Sequence, residues 1–375
     1  MLKKIVFLAQ IIILGFCAFS CSSRKSIIEW RLVKAGSIKL PIDTLTKSIQ
    51  INHQVYKDTL LIVLNSEQNS LLFYDLKQEK LNKILKFDRE GENGINLIEA
   101  FLYSHPDSIY LVSSHQYKIY HFNEERKLLR NYNLLKNNKL DSEAALPLNN
   151  LQAQAVKIGN YLHLATYPYV NYSQKNAYYT QRIHLILNLE NGNINFSSIS
   201  YPQIYREKPF PTALSYFFRT FNTEEQKFVY SFPASEDLLI EDVKGKKIKS
   251  VQASLSRNLM SPPLTLSKFT EDEEEHRRIY AKSNQYLMIY YEPFKKIYIR
   301  IAIKNTDNEF FTYVIILDEK FDKILEQELI KTDKTFKAVN ALFPFVTSKG
   351  LYFPNPRSQS EDFFEMDVYQ LVKKE

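Results

Sequence analysis

Phe73–Leu81, FYDLKQEKL, is the stretch that decides the fold: an apolar run, one acid, a charged turn, then apolar residues again. Nearly the same phrase returns four more times. Aligned on its acid or amide, it reads LLFYDLKQEKL at Asp75, KIYHFNEERKLL at Asn123, IHLILNLENGNI at Asn188, DLLIEDVKGKKI at Asp242 and YVIILDEKFDKI at Asp318. Leu81, Leu129, Ile194, Ile248 and Ile324 each follow six positions on. The three positions before the acid are nearly all apolar, with His121 and Glu241 the exceptions. Neighbouring strand residues face opposite sides of a sheet, so such runs predict strands buried on both faces. Asp and Asn side chains bond the backbone two residues on and tolerate turn conformations. The acid therefore ends one strand, a polar turn follows, and each phrase is a β-hairpin.

The key residues are spaced 48, 65, 54 and 76 apart, and a degenerate sixth copy, FFEMDVYQLV, places Asp367 a further 49 residues on. Each copy has an upstream strand at a similar offset: TLLIVLN, SIYLVSS, YLHLATY, KFVYSFP, KIYIRIAI and GLYFPNP. Repeats of this length with three or four strands each predict an all-β fold, a six-bladed β-propeller. The sixth copy runs out near Lys373, while IIEWRLVKAGSIKLPI (Ile27–Ile42) is strand-like and belongs to no unit. Both facts are met by a propeller closed by an N-terminal strand added to the last blade. The competing architecture is two packed β-sandwich domains.

The N-terminus reads as an export signal: Lys3 and Lys4, an apolar run from Ile5 to Phe16, small residues, then Cys21. That run is too short for a membrane span. Ala18-Phe19-Ser20-Cys21 resembles the lipobox of bacterial lipoproteins, with Ala18 where leucine is commoner. The resemblance implies cleavage after Ser20 and lipidation of Cys21. The expected organisation is a signal peptide over 1–20, a lipidated tether over 21–29 and one propeller domain over 30–375. Cys17 and Cys21 are the only cysteines, so the expected mature chain has neither a disulfide nor a thiol nucleophile. The charge of +7 is spread thinly, and an exported protein does not meet nucleic acid. SSRKS after Cys21 lacks an inner-membrane retention signal and the acidic run of surface-exported lipoproteins. The expectation is an outer-membrane lipoprotein of the cell envelope, facing the periplasm, monomeric, and held to the membrane through its lipid anchor.

Further stretches carry a family likeness: FDREGENGINLIEAF (Phe87–Phe101), the blade SIYLVSSHQYKIYHFNEERKLLR, and YYEPFKKIYIRIAI, YVIILDEKFDKILEQ and FVTSKGLYFPNP in the C-terminal half. With these the chain resembles the six-bladed, TolB-like propeller lipoproteins of Bacteroidota, and in particular one of their families of unknown function, over residues 30–372. The departure is low glycine: the blade-joining loop keeps only Gly91 and Gly94. The resemblance implies the fold and an envelope setting, and supplies no catalytic residues.

Eight glycines, of which only Gly91 and Gly94 are close together, write neither a phosphate-cradling loop nor a Gly-x-Ser-x-Gly elbow. None of the seven histidines forms a helical zinc pair; His115 and His121 share a blade but read as surface or satisfied side chains. EDEEEHRR (Glu271–Arg278) reads as a solvated insertion rather than a calcium or partner loop. YYEPFKKIYIR (Tyr290–Arg300) reads as a structural hairpin. YPYVNYSQKNAYY is different. Tyr167, Tyr169, Tyr172, Tyr178 and Tyr179 stand in a polar insert where they are hard to bury. Tyrosine combines an apolar face with a polar tip, so these five are the candidate ligand-binding residues. The expected function is a non-enzymatic binding or scaffold module for protein, peptide or glycan, without a cofactor or metal. The alternatives are a metal-dependent propeller hydrolase or lyase with acids at the central channel, and a structural or sensory envelope component.

Overall fold

The computed structural model describes residues 29–42, 52–135, 146–148, 153–167, 182–256, 258–333, 343–358 and 360–374. The expected signal peptide, Cys21, nearly all of the expected tether, and Tyr169, Tyr172, Tyr178 and Tyr179 lie outside the described residues. Among the described residues, no helix is long and apolar enough to cross a membrane.

Strand β1 (Trp30–Pro41) comes first. Blade 1 follows as β2 (His53–Tyr56), β3 (Leu60–Asn65), β4 (Ser70–Asp75) and β5 (Lys80–Lys86). Blade 2 is β6 (Ala100–His105), β7 (Ser108–Ser113), β8 (Lys118–Phe122) and β9 (Leu128–Asn133). Blade 3 holds β10 (Leu146–Leu148), β11 (Val156–Ile158), β12 (Tyr161–Tyr167), β13 (His184–Asn188) and β14 (Ile194–Phe196), with β10 and β11 both paired to β12. Blade 4 is β15 (Phe218–Asn222), β16 (Lys227–Ser231), β17 (Asp237–Asp242) and β18 (Lys247–Gln252). Blade 5 is β19 (Gln285–Glu292), β20 (Ile297–Asn305), β21 (Glu309–Leu317) and β22 (Lys323–Asp333). Blade 6 is β23 (Phe345–Thr347), β24 (Gly350–Pro354) and β25 (Phe363–Lys373), completed by β1 on the outer side of β25. Six antiparallel sheets in a ring make a six-bladed β-propeller, and the two-sandwich alternative falls away.

The hydrophobic core lies between blades, which is why the repeated strands are apolar on both faces. Leu72 packs into the cluster shared by blades 6 and 1, while its neighbour Phe73 packs into the one shared by blades 1 and 2. Six such clusters, one at each junction, run round the ring. Outermost strands differ. β5 and β9 expose every second residue or more, because the last strand of a blade runs along the solvent rim.

The repeated acid works as read. Asp75 Oδ1 accepts from the N–H groups of Lys77 and Gln78, both at 2.8 Å. Asn188 accepts from Glu190 at 2.8 Å, Asp242 from Lys244 at 2.9 Å and Asp318 from Lys320 at 2.9 Å. Asn123 reaches one residue pair further, to Lys127 at 2.9 Å. Each of these turns also contains one left-handed residue: Glu79, Arg126, Gly192, Gly245 and Phe321. Only two are glycine, so this chain forms its turns with few glycines by placing ordinary residues at positive φ.

Asp367 is a correction. It sits inside β25, opposite Ser37 of β1, with Lys34 Nζ 2.8 Å from its carboxylate. No turn forms there, because the outermost strand of blade 6 arrives from the other end of the chain. The clasp extends to blade 5: Gln327 on β22 accepts from the Leu32 N–H at 2.8 Å and donates to the Leu32 carbonyl at 2.9 Å.

The acidic run folds as a helix, Glu273–Tyr280, capped by Asp272, whose Oδ1 accepts from Glu274 and Glu275 N–H at 3.0 and 3.2 Å. Its acids face solvent and only His276 is buried, accepting from the Thr212 N–H at 2.9 Å.

Candidate functional site

The inner strands β2, β6, β11, β15, β19 and β23 surround the ring axis. They enclose a cavity of about 440 Å³ to which all six blades contribute. Each inner strand runs the same way, so its C-terminal residues lie together at one face of the ring. Tyr56, Ser104 and Tyr291 there are half-buried, and Lys157 and Thr223 are exposed. These form the mouth. His53 and Arg219, near the starts of β2 and β15, are buried and form the floor. Aromatic side chains make much of the wall: Tyr56, Tyr103, Phe221, Tyr290, Tyr291 and Phe345.

Polar side chains fix the inner strands to one another. Gln54 of β2 accepts from the Tyr103 N–H and donates to the Tyr103 carbonyl, both at 2.9 Å. Thr220 Oγ1 accepts from the Tyr291 N–H at 3.0 Å. At the floor, residues 153–155 cross toward the axis, with Ala153 bridged to Arg219. Gln154 donates to the His53 carbonyl at 2.5 Å, and its own carbonyl accepts from Arg219 Nη2 at 2.9 Å. His53 pairs Val63 and Arg219 pairs Tyr230, so the two occupy the same column of the repeat in blades 1 and 4. In a six-membered ring those blades stand opposite each other, and Gln154 spans them.

The floor side chains are incompletely satisfied. His53 is edge-on to Phe345 with ring centroids 5.5 Å apart, and neither ring nitrogen makes a hydrogen bond of normal geometry. Burial pushes its pKa down to about 3, against a smaller upward pull from the Pro344 carbonyl, so it is neutral. Arg219 donates through Nη2 to the carbonyls of Gln154 and His163 and lies against the Tyr230 hydroxyl that Glu241 also holds, while Nε and Nη1 make no hydrogen bond of normal geometry. Its guanidinium stacks 4.7 Å from the Phe228 ring centroid. Among the described residues, no carboxylate lies within ion-pair distance of Arg219.

Behind the floor, between blades 3 and 4, lies a buried polar chain. Glu241 accepts from the Tyr230 hydroxyl at 2.6 Å and from His184 Nδ1 at 2.7 Å. His184 Nε2 then accepts from His163 Nδ1 at 3.0 Å. Burial alone would raise the Glu241 pKa, but the hydrogen bonds from His184 and Tyr230 outweigh it and hold the group ionised. Burial lowers His163 to about 3 and His184 to about 4, so both are neutral donors in this chain. Burial and the Glu241 charge raise Tyr230 well above its ordinary value. All four are at most 3% exposed, so no reacting molecule reaches them and the chain orients side chains rather than doing chemistry.

No lining residue is Asp or Glu, so the carboxylate ring that metal-dependent hydrolysis or lysis calls for is not present among the described residues. No hydroxyl of the lining is hydrogen-bonded to a histidine among them either. His115 and His121 are not brought together: His115 pairs with Glu99 at 2.7 Å, and His121 meets the Ser108 hydroxyl at 3.1 Å. Tyr167 ends β12, paired with Leu146, at the opposite end of that strand from the turn beside the cavity mouth.

His53, Arg219 and the chain behind them escape a reading of the hairpins as uniform. The signal was a polar residue in an apolar column. Glu241 stands where the other repeats have Tyr74, Phe122, Leu187 and Leu317. In the same way His184 stands where they have Leu71, Ile119, Leu238 and Val314.

A family model described as "Domain of unknown function (DUF4221)" matches residues 32–328. The crystal structure of a member of that family from Bacteroides vulgatus superposes with a TM-score of 0.78 at 17% identity, covering 93% of this chain and all of that one. Virginiamycin B lyase from Staphylococcus aureus gives a TM-score of 0.44 at 9% identity, covering 92% of this chain and all of that one. No curated protein matches the chain.

Proposed function

This chain belongs to the family described as "Domain of unknown function (DUF4221)", and on that premise we propose that it is an envelope-anchored binding propeller whose ligand enters the central channel. The observation that carries this is the cavity itself. It is of ligand size, since small-molecule pockets span about 300–1,000 Å³. It is walled by aromatics, edged by polar groups from all six blades, and provided with no catalytic acid, base or nucleophile arrangement among the described residues.

The anchor is Cys21, lipidated after removal of residues 1–20, which holds the ring at the outer membrane facing the periplasm. Two or three acyl chains anchor stably because each buried CH₂ contributes about 0.8 kcal/mol. The tyrosine insert around Tyr167 offers a second contact surface for a protein or glycan partner.

A thermal-shift screen of the full chain in detergent against a small-molecule collection tests the channel reading. Ligands that raise the melting temperature should lose their effect in Tyr291→Ala at the mouth. Hits that ignore this substitution, or a screen without hits, would overturn it.

A further inference from the structure

We infer that the mouth face of the ring rests on the bilayer, with Phe294 set into the headgroup layer, so that the channel opens toward the membrane. This rests on the anchoring half of the reading above and adds a contact surface and an orientation to it. Phe294 is 63% exposed, more than any other large apolar side chain among the described residues. It stands in the turn from β19 to β20, which follows the C-terminal end of an inner strand and so belongs to the mouth face. Tyr161, 45% exposed, begins β12 just after the corresponding turn of blade 3. Lys295 and Lys296 follow Phe294 directly. Lys296 is paired with Glu224 at 2.7 Å, whereas Lys295 is exposed and makes no ion pair among the described residues. An apolar tip followed by a free lysine suits an anionic lipid surface. The ring enters the boundary between water and lipid, and the ammonium meets headgroup phosphates.

The chain leaves the ring on the same side. β24 begins at the mouth turn of blade 6 and pairs Leu351 with Tyr369, so the end of β25 lies on the mouth side, where Trp30 pairs Lys373. The Lys374 N–H donates to the Glu29 carbonyl at 2.8 Å, which fixes the exit. Trp30 packs against the cluster that holds Ile297, three residues after Phe294. The tether from Cys21 to Glu29 reaches at most about 30 Å when fully extended, whereas a folded domain of this length is about 50 Å across. The anchor therefore keeps the mouth side of blades 5 and 6 near the lipid. One phenylalanine would not hold a free protein on a membrane. On a short tether the same contact is intramolecular and needs little affinity of its own.

Energy transfer from a donor dye on the ring to rhodamine-labelled phosphatidylethanolamine tests this. The full lipidated chain is reconstituted into vesicles of phosphatidylethanolamine and phosphatidylglycerol. The dye is carried by Lys349→Cys, in the mouth turn of blade 6, or by Tyr216→Cys, in the connection leading into the start of β15 on the floor face; both positions are exposed. The two faces stand about 20 Å apart, the length of a six-residue strand such as β3, so transfer from Lys349→Cys should be at least about twofold more efficient. Phe294→Ser, an exposed change that spares the fold, should abolish most of that difference. Equal transfer from the two positions, greater transfer from Tyr216→Cys, or a difference that survives Phe294→Ser would overturn the inference while the anchor stands. A chain that does not float with the vesicles would overturn the anchoring reading and this inference with it.

Discussion

Arg300 shows how one residue can hold two blades together. It is fully buried on β20, where blades 1 to 3 carry Val63, Leu111 and Leu164 and blade 4 carries Tyr230. Nε donates to Ser231 at 3.0 Å, Nη1 to the carbonyls of Glu236 and Ala253 at 2.7 and 2.9 Å, and Nη2 to that of Ser235 at 2.8 Å. The guanidinium also lies 3.9 Å from the Tyr286 ring centroid, and burial lowers its pKa to about 10, so it stays charged. Arg300→Leu leaves two buried carbonyls and one part-buried carbonyl without their donor and should destabilise the protein by about 3–5 kcal/mol in urea denaturation. The histidines set a pH response. Unfolded, each protonates near 6.5; folded, His53, His163 and His184 resist protonation down to about 3, 3 and 4. The unfolded state therefore binds more protons below pH 6.5, and stability falls as pH falls through that range. His53→Phe removes one such group. At pH 5 the variant should gain about 2 kcal/mol relative to its difference from the parent at pH 7.5, read as urea midpoints at both pH values.

At the scale of the element, the hairpin turn is the unit that repeats. Its acid does local work: Asp318 Oδ1 accepts from Lys320 and Asp322 N–H at 2.9 and 2.8 Å. Asp318→Ala should lower stability by about 1 kcal/mol, while Asp318→Asn, which keeps the accepting oxygen, should lose less than half of that. Differential scanning calorimetry separates the two. The strands themselves were legible because burial on both faces leaves a continuous apolar run. The extent of β25 was not legible, because Asp367 looks like a turn acid until its partner strand is known.

At the scale of the molecule, the ring depends on β1. Its ladder with β25 runs from Trp30↔Lys373 to Pro41↔Phe363, and its side chains Leu32, Ile38 and Leu40 fill the clusters on either side of blade 6. Removing residues through Pro41 exposes an unpaired edge strand and opens two cores. Such a truncation should lose cooperative unfolding and self-associate in sedimentation velocity, where the full chain is expected to be monomeric. Gln327→Ala, which releases only the clasp on Leu32, should cost about 1–2 kcal/mol and leave the ring closed. Cys21→Ser should abolish incorporation of labelled palmitate and move the protein from the membrane fraction to the soluble one.

Read alone, the sequence determined the number of blades, their strand pattern and the closing strand, because these are written as periodicity, and periodicity needs no tertiary knowledge. It also located the turn acids, whose hydrogen bonds are local. Only the tertiary structure decided where the candidate site lies. His53 and Arg219 are far apart in the chain, and each alone reads as one polar residue on a short strand. The ring places them in one column on opposite blades, with Gln154 between them and no acid in the lining of the cavity. Charge compensation and cavity shape are properties of what surrounds a residue, and in a propeller those surroundings come from all six repeats at once.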